Sequence, residues 1–158
     1  FLAPTGRFEA GAADNVGSGY WTHVLASGQT VYLTEDKRTA VSAFQMYEFH
    51  TTQEGTGIHP GETFDLDYSL MGSLRGTGNA RIQLGIVGYE ARQTTARTGP
   101  GVSPEATDER YAVNAVGIAV STGFTKPRAG LSLRYFREFS NRSTFQGYSL
   151  QLSGSIAL

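Results

Sequence analysis

The sequence predicts an all-β fold: an antiparallel up-and-down meander that forms a transmembrane β-barrel. Three observations lead there. Apolar and polar residues alternate with period 2 along several runs, the repeat of a strand and not of a helix. Those runs exceed the about 5–6 residues of a typical globular strand and suit the about 9–11 that cross a bilayer. The connections alternate short and long, as in outer-membrane barrels with short periplasmic turns and longer external loops.

The chain opens Phe1-Leu2-Ala3-Pro4-Thr5-Gly6 without an initiator Met, followed by a Gly-rich stretch to Gly19. This start fits a removed signal or a part of a longer chain. Tyr20 to Leu33 reads as the first full strand from its β-branched and aromatic content, with ambiguous facing. Thr34-Glu35-Asp36-Lys37 is a short turn. In the second strand Val41, Ala43, Tyr47 and Phe49 share a face with Gln45, opposite Ser42, Phe44, Met46, Glu48 and His50. A longer connection, Gln53 to Gly61, carries Gly55, Gly57 and Pro60.

The clearest strand is Thr63 to Arg75. Phe64, Leu66, Tyr68, Leu70, Gly72 and Leu74 fall on one face, and Thr63, Asp65, Asp67, Ser69, Met71, Ser73 and Arg75 on the other. Gly76-Thr77-Gly78 fits a tight turn. Ala80, Ile82, Leu84 and Ile86 then alternate with Arg81, Gln83 and Gly85. Thr94 to Glu109 is the longest connection, with Gly99-Pro100-Gly101 and Pro104. Tyr111 to Thr122 is a strand of ambiguous facing, and Phe124 to Pro127 a short turn. Ala129, Leu131, Leu133 and Tyr135 alternate with Gly130, Ser132, Arg134 and Phe136. After Asn141 to Phe145, the final strand alternates Tyr148, Leu150, Leu152, Gly154, Ile156 and Leu158 with Ser149, Gln151, Ser153, Ser155 and Ala157.

Composition agrees with this reading. Of 158 residues 39% are apolar and only 17% charged, which excludes a highly charged disordered chain. Cys is absent, which removes disulfides, thiolate zinc sites and cysteine nucleophiles. A net charge of −1 gives no electrostatic footprint for nucleic acid. The apolar runs are too interrupted for a membrane-spanning helix.

Several motifs, in order, resemble one barrel family. They are Ala3-Pro4-Thr5-Gly6, Gly19-Tyr20-Trp21-Thr22, Tyr47-Glu48, Gln53-Glu54-Gly55 with Pro60-Gly61, Gly85-Ile86-Val87-Gly88-Tyr89, and Leu133 to Phe139. Together they are similar to the outer-membrane β-barrel family of the putative meta-pathway of phenol degradation protein, a transporter-type barrel. The resemblance runs over nearly the whole chain and corresponds to the C-terminal portion of the family. It implies an outer-membrane location, a genetic link to aromatic catabolism, and further strands before Phe1. The strand count agrees. Residues 1–158 form a single barrel domain or its C-terminal part, with seven full strands visible. Bacterial single-chain barrels have an even number, from about eight upwards.

Glu48, Asp65, Asp67, Arg75, Arg81, Arg134 and Glu138 fall on polar faces and are expected to form a lumen network. Such charges form either a solute-selecting constriction or an ion-pair network that fills a narrow interior. Parity places Glu48, Asp65, Asp67, Arg134 and Glu138 in one layer, with the arginine neutralising part of the acid. Phe44, Met46 and Phe136 are candidate apolar lumen contacts. Tyr20, Trp21, Tyr47, Tyr89 and Tyr135, near strand ends, are candidate interface aromatics.

No catalytic residues, cofactor or metal are expected. His23, His50 and His59 are scattered, and no Ser has the Gly-x-Ser-x-Gly context of a nucleophile elbow. The expected function is a passive outer-membrane channel or transporter for a small, aromatic or hydrophobic molecule. The expected partners are the lipid bilayer and that solute, without nucleic acid. The alternatives are a structural or interaction barrel with a packed interior, or a soluble lipocalin-like barrel suggested by Gly19-Tyr20-Trp21.

Overall fold

The computed structural model describes residues 1–74, 79–125 and 128–157. Arg75, the Gly76-Thr77-Gly78 turn, Lys126, Pro127 and Leu158 lie outside the described residues. The seven strands are β1 (Thr22–Tyr32), β2 (Thr39–His50), β3 (Thr63–Leu74), β4 (Ala80–Gln93), β5 (Ala112–Thr125), β6 (Arg128–Glu138) and β7 (Tyr148–Ile156). They form one sheet in the order β1 to β7, every neighbouring pair antiparallel.

Register follows the hydrophobic pattern. A slip of one residue would turn every side chain of a strand to the other face. Leu70 pairs with Ile86, Ile86 with Ile118, Ile118 with Tyr135, and Tyr135 with Leu150, so one row of the sheet is apolar across five strands. The opposite face carries Ser69, Val87, Gly117, Phe136 and Ser149 in the adjacent row. The facing of β1 and β5, unreadable beforehand, is set by these pairings. Thr22, Val24, Ala26, Gly28 and Thr30 share the face of Glu48 and Phe44, and Ala115, Gly117, Ala119 and Ser121 share that of Arg134.

The apolar face is the exposed one. Leu84 is 52% exposed, Ile118 62% and Leu152 71%. The buried apolar side chains lie on the polar face. Val87, Ala115, Ala119 and Phe136 form a small core, with Met71 and Tyr89 packed against it. The sheet curls around that face, because residues from β1 to β6 line one hollow of about 420 Å³ on it. This is the reverse of a soluble barrel, whose apolar side chains turn inward.

Two ends of the sheet differ. At the turn end, β1 and β2 are joined by residues 33–38. Strand β5 continues through Phe124 and Thr125, which sequence had assigned to the turn before β6. At the loop end lie the N-terminal segment and residues 51–62, 94–111 and 139–147. Within the third of these, Ser103 caps a short helix, α1 (Pro104–Asp108), with Pro in its first turn. The edges of the sheet are β1 and β7, which run parallel to each other in a seven-strand meander. Outside the named strands, Leu2 forms an antiparallel bridge to Thr22 on the free side of β1.

Candidate functional site

The candidate site is the inner face, on which β2 to β6 bring the charged residues together. Its floor comes from small residues that let larger ones reach across. In one row Tyr89, Ala115 and Glu138 are consecutive cross-strand partners. Ala115 is 0% exposed, and over it the Tyr89 hydroxyl donates to Glu138 Oε1 at 2.9 Å. The Tyr89 ring meets Phe136 edge-on, with centroids 5.1 Å apart. In the next row a Cβ at Gly117 would collide with the backbone of Tyr135 and Phe136, so glycine permits the close approach of β6 there.

All the described members of the expected lumen set stand on this face. Glu48 pairs with Thr63, Asp65 with Ala91, Asp67 with Tyr89, Arg81 with Gly123, and Arg134 with Ala119. They do not form one layer. The acids gather towards the loop end, whereas Arg81 and Arg128 stand at the turn end and Arg134 between. Arg134 and Glu138 are four positions apart on one face of β6, about 13 Å at the usual strand rise. Arg134 therefore does not neutralise the acids, a correction to the expected pairing. Among the described residues the ion pairs within 4.0 Å do not include Arg134 or Arg81. The inner face has an axial gradient of charge instead.

Neutral donors satisfy two of the acids, Glu138 and Glu48. Besides Tyr89, Glu138 accepts from Asn141 Nδ2 at 2.9 Å and from the Gly147 backbone N–H at 2.9 Å. Glu48 accepts from the Thr63 hydroxyl at 2.9 Å. Beside it, His50 Nε2 lies 3.9 Å from Glu48 Oε2, and His50 Nδ1 lies 2.9 Å from Thr22 Oγ1. Tyr20 packs edge-on against the His50 ring at 5.1 Å. The order hydroxyl, imidazole, carboxylate imitates a hydrolytic relay. Thr22 is only 6% exposed, however, and the carboxylate stands beyond hydrogen-bond distance from the imidazole. Sequence had no signal for this contact between β1 and the end of β2. Among the described residues no group of three or more His, Asp or Glu is arranged to hold a metal ion.

The hollow is lined by Phe44, Met71, Val87 and Phe136 on the apolar side and by Asp67, Gln83, Ser121 and Arg134 on the polar side. Ser121 and Ser132 share a hydrogen bond of 2.9 Å beside Arg134. Phe44 and Phe136 thus stand where an apolar lumen contact was expected. Met46 is on the same face nearer the loop end, opposite Asp65.

The aromatics divide between the faces. Trp21, Tyr47 and Tyr135 lie on the outer side near the loop end, where Tyr47 meets Phe49 at 4.7 Å and Tyr135 faces Tyr148 at 6.4 Å. Phe64 joins them, with the Arg92 guanidinium 5.5 Å from its ring centroid. Tyr20 and Tyr89 correct the expectation. Tyr89 turns inward because its register places it on the Glu138 face, and Tyr20, which precedes β1, packs on the inward-facing His50 ring.

The long connections are stitched into one layer over the loop end. Glu54 N–H donates to Gly19 O at 2.8 Å, and Gln53 Nε2 to Ser18 O at 2.7 Å. His59 and Thr98 exchange backbone bonds at 2.8 and 3.0 Å, as do Arg142 and Ala112 at 2.8 and 3.0 Å. Gly61, at φ +86, sits where a Cβ would press on Thr95 O, so this crossing requires glycine.

A sequence profile of the family described as Putative MetA-pathway of phenol degradation matches residues 1–153. No curated protein and no solved structure matches the chain.

Proposed function

The chain belongs to the Putative MetA-pathway of phenol degradation family, and from that premise we propose that it forms the wall of an outer-membrane β-barrel. In this reading the barrel is non-catalytic and passes or binds a small, aromatic or hydrophobic molecule along its inner face. The sidedness of the sheet carries the reading. Strands of 9 to 14 residues expose their apolar side chains outward, and the outward charges Glu90, Arg92 and Arg137 are confined to the loop end. That length matches the about 9–11 residues of a spanning strand, and lipid is the solvent that suits such an outer face. The outer aromatic cluster at the loop end matches an interfacial girdle.

Closure supports a larger assembly. A sheet edge in lipid would leave unpaired N–H and C=O groups at several kcal/mol each, on the order of a lost hydrogen bond in hydrocarbon. Since β1 and β7 run parallel, antiparallel closure takes an odd number of further strands between them. The Leu2 to Thr22 bridge supports one such strand beside β1.

The second reading is a structural barrel with a filled interior. The Val87, Ala119 and Phe136 core favours it, as does the hydrogen-bonded loop layer. Planar-bilayer recording on the full-length protein separates the two. Discrete conductance steps that a small aromatic solute reduces support passage. A sealed bilayer with correctly inserted protein overturns passage and leaves the structural barrel.

A further inference from the structure

The hollow contains two opposite charges that do not meet. Asp67 on β3 and Arg134 on β6 both line it, and neither belongs to an ion pair within 4.0 Å among the described residues. The lining also includes the Phe44 and Phe136 rings and the Met71 thioether, beside the polar Ser42, Ser69, Gln83 and Ser121. At about 420 Å³ the space is in the size range of small-molecule sites, about 300–1,000 Å³.

We propose that this hollow binds a hydroxylated aromatic carboxylate, with Arg134 taking the carboxylate, Asp67 the hydroxyl, and Phe44 and Phe136 the ring. The inference rests on the barrel reading above and names its solute class. A guanidinium presents paired donors that match the two oxygens of a carboxylate. Beside it the Ser121–Ser132 hydroxyl pair offers neutral hydrogen-bond partners. A phosphate dianion fits poorly, because one guanidinium and a nearby carboxylate leave most of its charge uncompensated. Phenol alone would use Asp67 and leave Arg134 unpaired. Benzoate alone would use Arg134 and forgo the hydrogen bond to Asp67. A straight-chain acid would fill the groove without an aromatic contact to Phe44, which is exposed.

Isothermal titration of the full-length protein in detergent tests this, with 4-hydroxybenzoate, benzoate, phenol and octanoate as probes. The expected order has 4-hydroxybenzoate binding most tightly. Arg134→Gln should weaken 4-hydroxybenzoate and benzoate at least tenfold and leave phenol within twofold. Asp67→Asn should weaken 4-hydroxybenzoate and phenol and spare benzoate. Arg134→Lys should retain part of the carboxylate affinity, and heat-modifiable migration on gels reports that each variant is folded. Unchanged 4-hydroxybenzoate binding in folded Arg134→Gln overturns the proposal. So does octanoate or phenol binding as tightly as 4-hydroxybenzoate, or no binding of any probe. Conductance in bilayers without carboxylate binding sinks this inference alone; failure to insert in bilayers at all sinks the barrel reading instead.

Discussion

Tyr68 lies across Gly88 on the outer face, and its hydroxyl reaches over β4 to the Ala115 carbonyl at 3.2 Å. A Cβ at position 88 would collide with the end of that ring. On the inner face Tyr89 does the same over Ala115, reaching Glu138. In both places a tyrosine on one strand ties itself to the second strand along, and a small residue on the strand between makes the room. The two ties cross at Ala115 from opposite faces of β5. They link β3 through β6 beyond nearest-neighbour pairing.

Gly88→Val should therefore destabilise the sheet more than a β-propensity scale implies. Valine favours strands, but here it displaces Tyr68, and overpacking of this kind costs about 1–3 kcal/mol. Denaturant unfolding in detergent micelles checks it. Stability equal to or above that of the parent protein would refute the tie.

Tyr89→Phe removes only the hydroxyl that Glu138 accepts. The expected loss is about 1.5–3 kcal/mol, the net worth of a hydrogen bond to a charged group. Tyr148→Phe, on the exposed outer side, should cost much less. Equal effects from the two variants would mean that the Tyr89 contact contributes nothing.

The loop end should face outside the cell and the turn end the periplasm. Thr98→Cys, in the longest connection, should react with an impermeant maleimide on whole cells. Glu35→Cys, in the short turn between β1 and β2, should react only after the outer membrane is opened. The reverse pattern would invert the orientation.

If the inner face passes solutes, as proposed, the charge gradient should make the acidic end selective. Glu48→Gln and Asp65→Asn should each move the reversal potential in a salt gradient away from cation preference. Glu105→Gln, exposed on α1, should not. Arg134→Gln should move it the opposite way. The effect should be largest at low salt, since screening shortens the reach of charge to about 8 Å at physiological ionic strength. A reversal potential untouched by Glu48→Gln and Asp65→Asn would remove the acids from the solute path.

Much of the fold was legible because one face is apolar. Phe64 to Leu74 and Tyr148 to Ile156 announce their facing residue by residue, and the loop lengths give the order of turns. Strand β1 did not, because its outer side carries Ser27 and Gln29, which bond to each other and to Gln45 at 3.0 to 3.3 Å. Strand β5 hid its facing because Ala115, Gly117 and Ala119 are small, and smallness is what the neighbouring Tyr89 and Phe136 require. The site was legible only as a face. Parity puts Glu48, Asp67, Arg134 and Glu138 on one side but says nothing of their height along the strands. Height depends on cross-strand register, which placed Arg134 level with Ala119 and Glu138 level with Ala115. The partners of Glu138, Asn141 and Gly147, come from loop conformation that period-2 patterning does not reach.

The central claim is that the apolar face of this sheet meets lipid and the charged face water. A nitroxide scan along β4 tests it most directly, with a label placed in turn at Arg81, Ile82, Gln83, Leu84 and Ile86 of the protein reconstituted in bilayers. Gly85 is left unlabelled, because a Cβ there would collide with the β3 backbone. Labels at Ile82, Leu84 and Ile86 should collide freely with oxygen dissolved in the bilayer. Labels at Arg81 and Gln83 should collide with a water-soluble nickel complex, giving a period of 2 in opposite phase for the two reagents. The same period in the reverse phase, or nickel access at all five positions, would contradict the account.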